Sequence, residues 1–191
     1  MKASKSRIGV VALGEVPELV PQSIAAHIQG ILHVDVDVLP PLPLPSSAFD
    51  QGRLQYSASR MLQHLETLSL SSWDKIMGVL DGDLFVPIFT YVLGEAQQGG
   101  KHALVSLQRL KTQAENAPSA LSLLMGRSAK VALHELGHLY NLHHCVDARC
   151  LMHFSGGLRD LDETFLEYCS YCRIYLRDAL LRKKEKAAEP E

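Results

Sequence analysis

The stretch His134–Met152, HELGHLYNLHHCVDARCLM, places four histidines and two cysteines within nineteen positions. His134 and His138 are four residues apart, so their imidazoles lie one turn apart on the same face of a helix. Apolar residues, among them Leu133 and Leu136, fall on the opposite face. The pattern therefore requires an amphipathic helix that buries one side and presents two metal-binding side chains on the other.

Glu135, which directly follows His134, completes the motif HExxH. In zinc-dependent hydrolases with this motif the histidines bind the metal and the glutamate takes a proton from water at the metal. HExxH also arises by chance in unrelated helices, so a third ligand has to be found. His144, six residues after His138, has suitable spacing, and His143 is the alternative.

Asn141 separates the two halves of this predicted zinc site. In the spacing HExxHxxGxxH, a glycine normally ends the helix in a left-handed conformation, so that the chain doubles back towards the metal. Asparagine tolerates that conformation best among the other residues, at a cost of about 1 kcal/mol or less. We therefore expect the helix to stop near Asn141 and His144 to complete the site.

All four cysteines lie in the last quarter of the chain, as the pairs Cys145/Cys150 and Cys169/Cys172. Two close pairs favour a closed site of four thiolates that binds a structural zinc. Two disulfides and a CxxC redox site are the alternatives. A redox CxxC usually opens a helix, whereas we expect CSYC to lie well inside the last helix.

The first half of the chain alternates between strand and helix patterns, which predicts strands followed by packed helices and a mixed sheet. Pro40–Ser47 (PPLPLPSS) has the composition of an extended linker. The glycines at 99 and 100 favour a hairpin between the last two strands, one of which would lie at the sheet edge. The predicted strands are Arg7–Leu13, Val34–Leu39, Lys75–Leu80, Phe89–Leu93 and Ala103–Leu107, and the predicted helices are Pro17–Ile31 and Tyr56–Leu70.

The second half is predicted to be helical. Asn116 is a suitable N-cap and Pro118 suits a first turn, so the helix that carries HExxH is expected to begin there. A last helix is expected from about Asp160 or Asp162 to about Arg182. We predict one domain over residues 1–182, with the cysteine subsite at 145–172, and a disordered charged tail at 183–191.

Taken together, the placed residues resemble the archaemetzincin family of metallopeptidases. The shared pattern runs from His134 to Cys145 as HExxHxxNxxHC, continues as x4-Cys150-x-Met152, and ends with CxxC at 169–172 after sixteen residues. Asn141 stands where the family has glycine. The match covers the last third of the chain directly, and DGDLFVPIFTYVLGEA at 81–96 also looks like the family's.

The resemblance implies a zinc metallopeptidase with Glu135 as general base and Met152 in a turn beneath the metal. It also implies an α/β metzincin fold: a twisted mixed sheet of about five strands, with a backing helix, an active-site helix and a C-terminal helix. An antiparallel edge strand around Phe89–Ala96 would border the substrate cleft. The implied ligands are His134, His138 and His144 for the catalytic zinc, and Cys145, Cys150, Cys169 and Cys172 for the structural zinc.

Composition limits the other possibilities. A net charge of −2 removes the electrostatic argument for a nucleic-acid partner. The apolar runs are too short to span a membrane, and the first one is interrupted by glycines and followed by no cleavage site, as expected of a strand in a cytoplasmic protein. We expect a monomer that acts on peptides or proteins. The alternative function is a metal-stabilised peptide-binding or scaffold protein without turnover.

Overall fold

The structure is a computed structural model that describes residues 6–111 and 119–186. No helix in these two ranges is long and apolar enough to cross a membrane. The strands are β1 (Arg7–Leu13), β2 (Asp35–Leu42), β3 (Phe49–Asp50), β4 (Gln55–Ser57), β5 (Lys75–Leu80), β6 (Leu84–Phe85), β7 (Gly94–Ala96) and β8 (His102–Ser106). The α-helices are α1 (Leu19–Leu32), α2 (Ala58–Thr67), α3 (Ala120–Leu139), α4 (Leu158–Glu163) and α5 (Ser170–Lys186), and Ser46–Ala48 forms a short 3-10 turn.

A five-stranded sheet with the order β2-β1-β5-β8-β7 forms the framework. β1 pairs in parallel with β2 and β5, and β5 pairs in parallel with β8. β7 alone runs antiparallel, beside β8 at the sheet edge. The predicted mixed α/β sheet with an antiparallel edge strand is thus confirmed. A second, small sheet contains β3, β4 and β6.

The central strands are apolar on both faces because each face is covered by helices. On β1, Ile8 and Val10 belong to one core together with residues of α1 and α3. Val11 and Leu13 belong to a second core on the other face, together with residues of α2. The continuous apolar runs of β1 and β5, both of which have the predicted bounds, reflect this double burial.

β2 is longer than predicted, because it continues to Leu42 through Pro40 and Pro41. The prediction of a linker is therefore wrong for its first three residues. Proline has no backbone N–H to donate, so it is tolerated in a sheet only where that donor is not needed, chiefly on edge strands. β2 is an edge strand of the main sheet, which explains why the two prolines fit there.

The hairpin at the other edge is also shifted along the sequence. The prediction of a strand at Phe89–Leu93 is wrong: the antiparallel strand is Gly94–Ala96, which pairs with β8. The backbone N–H of Val92 donates instead to the carbonyl of Leu84 at 2.9 Å. The segment before β7 is therefore tied to the small sheet rather than to β8.

Helix α3 crosses one face of the main sheet and ends at Leu139. The predicted start at Asn116 and Pro118 lies outside the described residues. At the other end, the buried Lys75 ammonium donates a hydrogen bond of 2.7 Å to the Leu139 carbonyl. A positive charge at this position satisfies a free carbonyl and opposes the negative end of the helix dipole.

The C-terminal region forms two helices rather than the single helix predicted from about Asp160 to Arg182. Helix α4 ends at Glu163, and α5 begins only at Ser170 and continues to Lys186. Thr164 ends α4 in an extended conformation, and its hydroxyl donates to the Leu161 carbonyl at 2.8 Å. The break places CSYC at the start of α5 instead of inside a long helix.

Candidate active site

Helix α3 presents His134 and His138 on one face, one turn apart. Their Nε2 atoms are 3.1 Å apart. Each Nδ1 contacts a backbone carbonyl, of Leu151 at 2.6 Å for His134 and of Leu142 at 2.8 Å for His138. When Nδ1–H donates to these carbonyls, Nε2 carries a lone pair, which is the tautomer that binds a metal.

The chain turns back after α3 as the spacing predicts. Asn141 has φ of 69°, in the left-handed region, and the N–H of Leu142 donates to the Gly137 carbonyl at 3.0 Å. The turn brings the exposed His144 beside the other two rings, with centroid distances of 4.9 Å to His138 and 5.3 Å to His134.

The ligand atoms of His134, His138 and His144 lie within 4.8 Å of one another. His143 is exposed and is not part of this group. Two imidazole nitrogens at 2.0–2.1 Å from a tetrahedral zinc are about 3.3 Å apart, close to the observed Nε2 separation of His134 and His138. The donor set and its spacing therefore fit a zinc ion with three protein ligands.

The histidines are neutral in this environment. Burial, with a contribution from His138, lowers the pKa of His134 to about 3. Burial also lowers the pKa values of His138 and His144. Since a metal ligand has to be unprotonated, these depressed pKa values keep all three rings ready to bind a cation near neutral pH.

Glu135 is 7% exposed and borders the same space as the histidines. A Cβ atom on Gly94 would lie 2.6 Å from its Oε1, so the carboxylate packs directly against the backbone of β7. Burial, and then the charge of Glu95, raise the pKa of Glu135 well above its ordinary value. A carboxyl group with a raised pKa is suited to accept and return a proton near neutral pH.

A cavity of about 520 Å³ lies between β7 and α3 and contains the histidines and Glu135. The segment before β7 forms one wall, including Phe89 and Tyr91, and the segment after Met152 forms another, including Phe154. The Phe154 ring lies 5.2 Å from the His144 ring and 6.4 Å from the Phe89 ring. The histidine group thus lies in a cleft that an extended peptide can enter.

Met152 is fully buried. A Cβ atom on Gly137 would collide with the Met152 Sδ, so the thioether packs on the helix backbone between His134 and His138. The expected position of Met152 beneath the histidine site agrees with this contact. Glycine at 137 is what allows so close an approach.

The four cysteines also converge. The Sγ atoms of Cys145, Cys150, Cys169 and Cys172 all lie within 4.8 Å of one another, and Cys145 and Cys169 are 3.8 Å apart. Sulfur atoms bound to one tetrahedral zinc are about 3.8 Å apart, whereas a disulfide requires about 2.05 Å. The spacing therefore fits a four-thiolate metal site.

Backbone N–H groups surround the Cys150 sulfur. Cys169 N and Met152 N donate to it at 3.3 Å and 3.4 Å. Burial is the larger effect and raises the pKa of Cys150, while these two donors act to lower it. Burial acts to raise the pKa of Cys169. Hydrogen bonds from the Cys172 backbone and from neighbouring thiols outweigh that effect and leave the pKa below its ordinary value.

One part of the reasoning from sequence about this cluster is wrong. Cys169 directly precedes α5 and Cys172 lies in its first turn, so the CxxC opens the helix. Its position in a helix therefore does not argue against redox chemistry. The convergence of all four sulfurs is now what favours a metal site over a redox site, because a redox pair does not require Cys145 and Cys150 beside it.

One loop connects the two clusters. Cys145 N donates to the Met152 carbonyl at 2.7 Å, and the neighbouring Leu151 carbonyl contacts His134. His153, which the sequence did not single out, lies 3.1 Å from the Cys145 carbonyl through Nδ1. Residues 144–153 thus contribute to both candidate metal sites.

Comparison with known proteins agrees with this geometry. A family model described as Peptidase family M54 matches residues 27–178. The chain belongs to peptidase family M54, the archaemetzincins. It is 34% identical to the archaemetzincin of Pyrococcus furiosus over 184 residues, which cover 93% of this chain and 96% of that protein. The predicted enzyme class, zinc metallopeptidase, is confirmed by this membership.

Solved archaemetzincin structures have the same fold. The crystal structure from Methanopyrus kandleri matches with a TM-score of 0.85 and 30% identity, over 95% of this chain and 99% of that one. A structure described as a zinc-dependent peptidase from Methanocorpusculum labreanum matches with a TM-score of 0.79 and 27% identity, over 88% and 99%. The M54 fold therefore extends over nearly the whole chain.

Glu95 is a cleft residue that the sequence analysis missed. It lies on β7, lines the cavity, and acts electrostatically on Glu135. The available signal was the acidic residue within LGEA, in the segment expected to form the edge of the substrate cleft. By itself, an isolated glutamate on a strand is most often a solvated surface residue.

Proposed function

We propose that this archaemetzincin hydrolyses peptide bonds with one zinc ion held by His134, His138 and His144 and with Glu135 as general base. The observation that carries the proposal is the convergence of three neutral imidazoles beside a buried carboxyl group in a cleft. The M. labreanum relative, described as a zinc-dependent peptidase, supports zinc as the metal. The substrates are peptides or proteins.

The zinc ion, when bound, would supply a Lewis acid that lowers the pKa of water and polarises the scissile carbonyl. His134 and His138 contribute Nε2, since Nδ1 of each is held by a backbone carbonyl. His144 contributes the third nitrogen. Three protein ligands leave the fourth tetrahedral position open to the cleft.

Glu135 performs the proton transfers. Its carboxylate takes a proton from the attacking water and then gives it to the leaving amine. Packing against Gly94 fixes the direction of the side chain, and burial raises its pKa above the ordinary value. No side chain needs to be assigned as a further oxyanion donor.

Strand β7 supplies the substrate-binding edge. It is the last strand of the main sheet, pairs with β8 on one side only, and lines the cleft. An extended peptide that adds to this edge makes main-chain hydrogen bonds in the manner of an extra strand. Its scissile bond then lies between the edge strand and the histidine group.

The four cysteines would hold a second zinc with a structural role. Cys150 and Cys172 are 1% and 5% exposed, so the site is closed to substrate. Such an ion would join the loop after the histidines to the start of α5. The cytoplasmic location, the monomeric state and the single domain expected from the sequence stay predictions.

The test uses the full chain reconstituted with zinc and an unbiased peptide library analysed by mass spectrometry. We expect cleavage by the wild type, a loss of about 10⁴-fold or more in kcat for Glu135→Gln, and two zinc ions in both proteins. His144→Ala should lose one zinc, and His143→Ala should lose none. Cleavage that persists in Glu135→Gln would contradict the role of this glutamate, and a folded two-zinc chain that cleaves nothing would favour the scaffold alternative.

A further inference from the structure

The charged residues of the cleft are all acidic. Glu95 and Glu135 line the cavity, and no lysine or arginine is among its lining residues within the described parts of the chain. The other polar side chains that line the cavity are uncharged, and the three histidines among them are the proposed zinc ligands. Apart from a zinc ion on the histidines, the charge that a substrate side chain can meet along this cavity is therefore negative, which favours cationic over acidic side chains.

The two carboxylates have no hydrogen-bond or ion-pair partner among residues 6–111 and 119–186. Glu135 is more than nine-tenths buried and its carboxylate borders the cavity. Glu95 is half-buried, and burial raises its pKa above the ordinary value. A half-buried carboxylate without a partner in the protein loses part of its solvation, and a cationic group of a ligand can replace it.

Basic residues near the cleft are already engaged elsewhere. Arg109 forms a two-point ion pair with Asp83, at 2.8 Å and 2.6 Å. The Arg53 guanidinium donates to Gln55 and to the Phe89 carbonyl. Lys130 donates to backbone carbonyls beside α4. Within the described parts of the chain, no basic side chain is paired with Glu95, whereas Asp83 is paired with Arg109.

Glu95 also has the right place for a specificity residue. It is the central residue of the three-residue strand β7, flanked by Gly94, which touches Glu135, and by Ala96. A peptide that pairs with this edge is held in a fixed register by main-chain hydrogen bonds. Glu95 pairs with Leu104 of β8, so its side chain leaves β7 on the opposite face from Gly94. A charge contact with Glu95 would therefore select a substrate residue whose side chain lies on that face of the added strand.

We propose that Glu95 is a specificity residue that binds a positively charged group of the peptide substrate. The group is a primary ammonium or a guanidinium, from either the free N-terminus or a lysine or arginine side chain. This inference rests on the proposed peptidase function. It assigns the substrate class, namely peptides with a cation that reaches Glu95 when they pair with β7, and Glu135 keeps the proton-transfer role.

The test measures binding, so that it does not depend on turnover. Peptides with a reduced, non-cleavable bond are prepared with lysine or methionine at each position on either side of that bond, each with a free or an acetylated N-terminus. Their Kd values are measured by calorimetry on the zinc-loaded wild type, Glu95→Gln, Glu95→Asp and Glu18→Gln. Glu18 is an exposed glutamate outside the cavity and serves as the charge-matched control.

For the wild type we expect the best cationic peptide to bind about 10- to 100-fold more tightly than its neutral partner, as a charged hydrogen bond provides. Glu95→Gln should reduce that ratio to within about 2-fold, Glu95→Asp should keep part of it, and Glu18→Gln should keep all of it. Loss of the preference on acetylation assigns the N-terminal ammonium, whereas loss on the change from lysine to methionine assigns the side chain.

Equal binding of cationic and neutral peptides by the wild type would overturn the proposal, and so would an unchanged ratio in Glu95→Gln. Circular dichroism and zinc content show whether each variant is folded. If Glu95→Gln does not fold, Glu95→Asp provides the test of the charge contact. A parallel assay with cleavable peptides separates the two hypotheses. Cation-selective binding without cleavage contradicts only the peptidase function, and cleavage without charge preference contradicts only the role of Glu95.

Discussion

The histidine group and the cysteine group are neighbours in sequence and in space, but they differ in exposure. His144 is exposed at the edge of a cavity of about 520 Å³, whereas Cys150 and Cys172 are almost fully buried. An open three-ligand site leaves room for water and substrate, and a closed four-ligand site does not. On the proposed function, the peptide bond between His144 and Cys145 is therefore the boundary between a site for chemistry and a site for stability.

The two groups also use the backbone in opposite ways. Carbonyl oxygens of Leu142 and Leu151 hold the imidazoles through Nδ1, so helix α3 and its C-terminal turn fix the ring directions without a metal. In the cysteine group, backbone N–H groups point at the Cys150 sulfur. The histidine site is therefore organised by the fold, whereas an ion shared by the four sulfurs would add to the hydrogen bonds that already tie loop 145–152 to residues 165–169 before α5.

The largest effect is expected when a ligand of the cysteine group is removed, because this group is proposed to stabilise the fold. Cys150→Ser should lower the free energy of unfolding by at least about 4 kcal/mol, since it removes a ligand from a buried structural metal site. His144→Ala should lower it by less, because the exposed side chain adds little packing and the loss is chiefly that of the zinc ion which the variant no longer binds. Urea unfolding of the zinc-loaded proteins, together with metal analysis, provides the measurement. Equal losses in the two variants would show that the comparison is wrong.

A smaller effect is expected from Gly137→Ala, where the two regions meet. A methyl group at this position collides with Met152 Sδ, and overpacking of this kind costs about 1–3 kcal/mol. The displaced turn carries the Leu151 carbonyl that holds His134, so we expect weaker zinc binding at the histidine site than at the cysteine site. Gly126→Ala on the same helix, where no atom lies within 4 Å of an added Cβ, is the matched control. Competition with a graded series of chelators measures both sites, and equal weakening would contradict the expectation.

The sequence predicts those parts of the structure that are determined by residues close together in the chain. β1 and β5 have the predicted bounds because long apolar runs buried on both faces leave little choice of structure. The ligand groups were recognisable because helical spacing and close cysteine pairs define which side chains meet. In both cases the deciding interactions lie within a short length of chain.

The predictions that were wrong concern features that depend on partners far away in sequence. Pro40 and Pro41 read as a linker but lie in β2, because the sheet order makes that strand an edge. FTYVL has a strong strand composition, yet Val92 bonds to Leu84 and the strand beside β8 is the weaker sequence Gly94–Ala96. Glu95 gained its importance from the same shift, which brought it into the cleft beside Glu135.

The smallest effect concerns Asn141, which stands between the two groups at φ of 69°. Asn141→Gly removes strain of about 1 kcal/mol or less but makes the unfolded chain more flexible, so stability should change by less than about 0.5 kcal/mol. Asn141→Ala should cost about 1 kcal/mol, because alanine resists a positive φ. His33, which ends α1 at φ of 53° far from both groups, gives the control pair His33→Gly and His33→Ala.

Zinc affinity separates a local strain effect from a role in the site. The Asn141 side chain lies over Gly99, with Oδ1 2.8 Å from where a Cβ on that glycine would be, and the Gly99 N–H donates to the His138 carbonyl at 2.9 Å. The asparagine thereby joins the end of α3 to the β7–β8 turn. We expect Asn141→Ala to weaken zinc binding at the histidine site about 3- to 10-fold, or about 0.65 to 1.4 kcal/mol, and to leave zinc binding at the cysteine site unchanged. The His33 variants should change neither. An equal stability loss at both helix ends with no change in zinc affinity would mean that Asn141 substitutes for glycine in conformation alone.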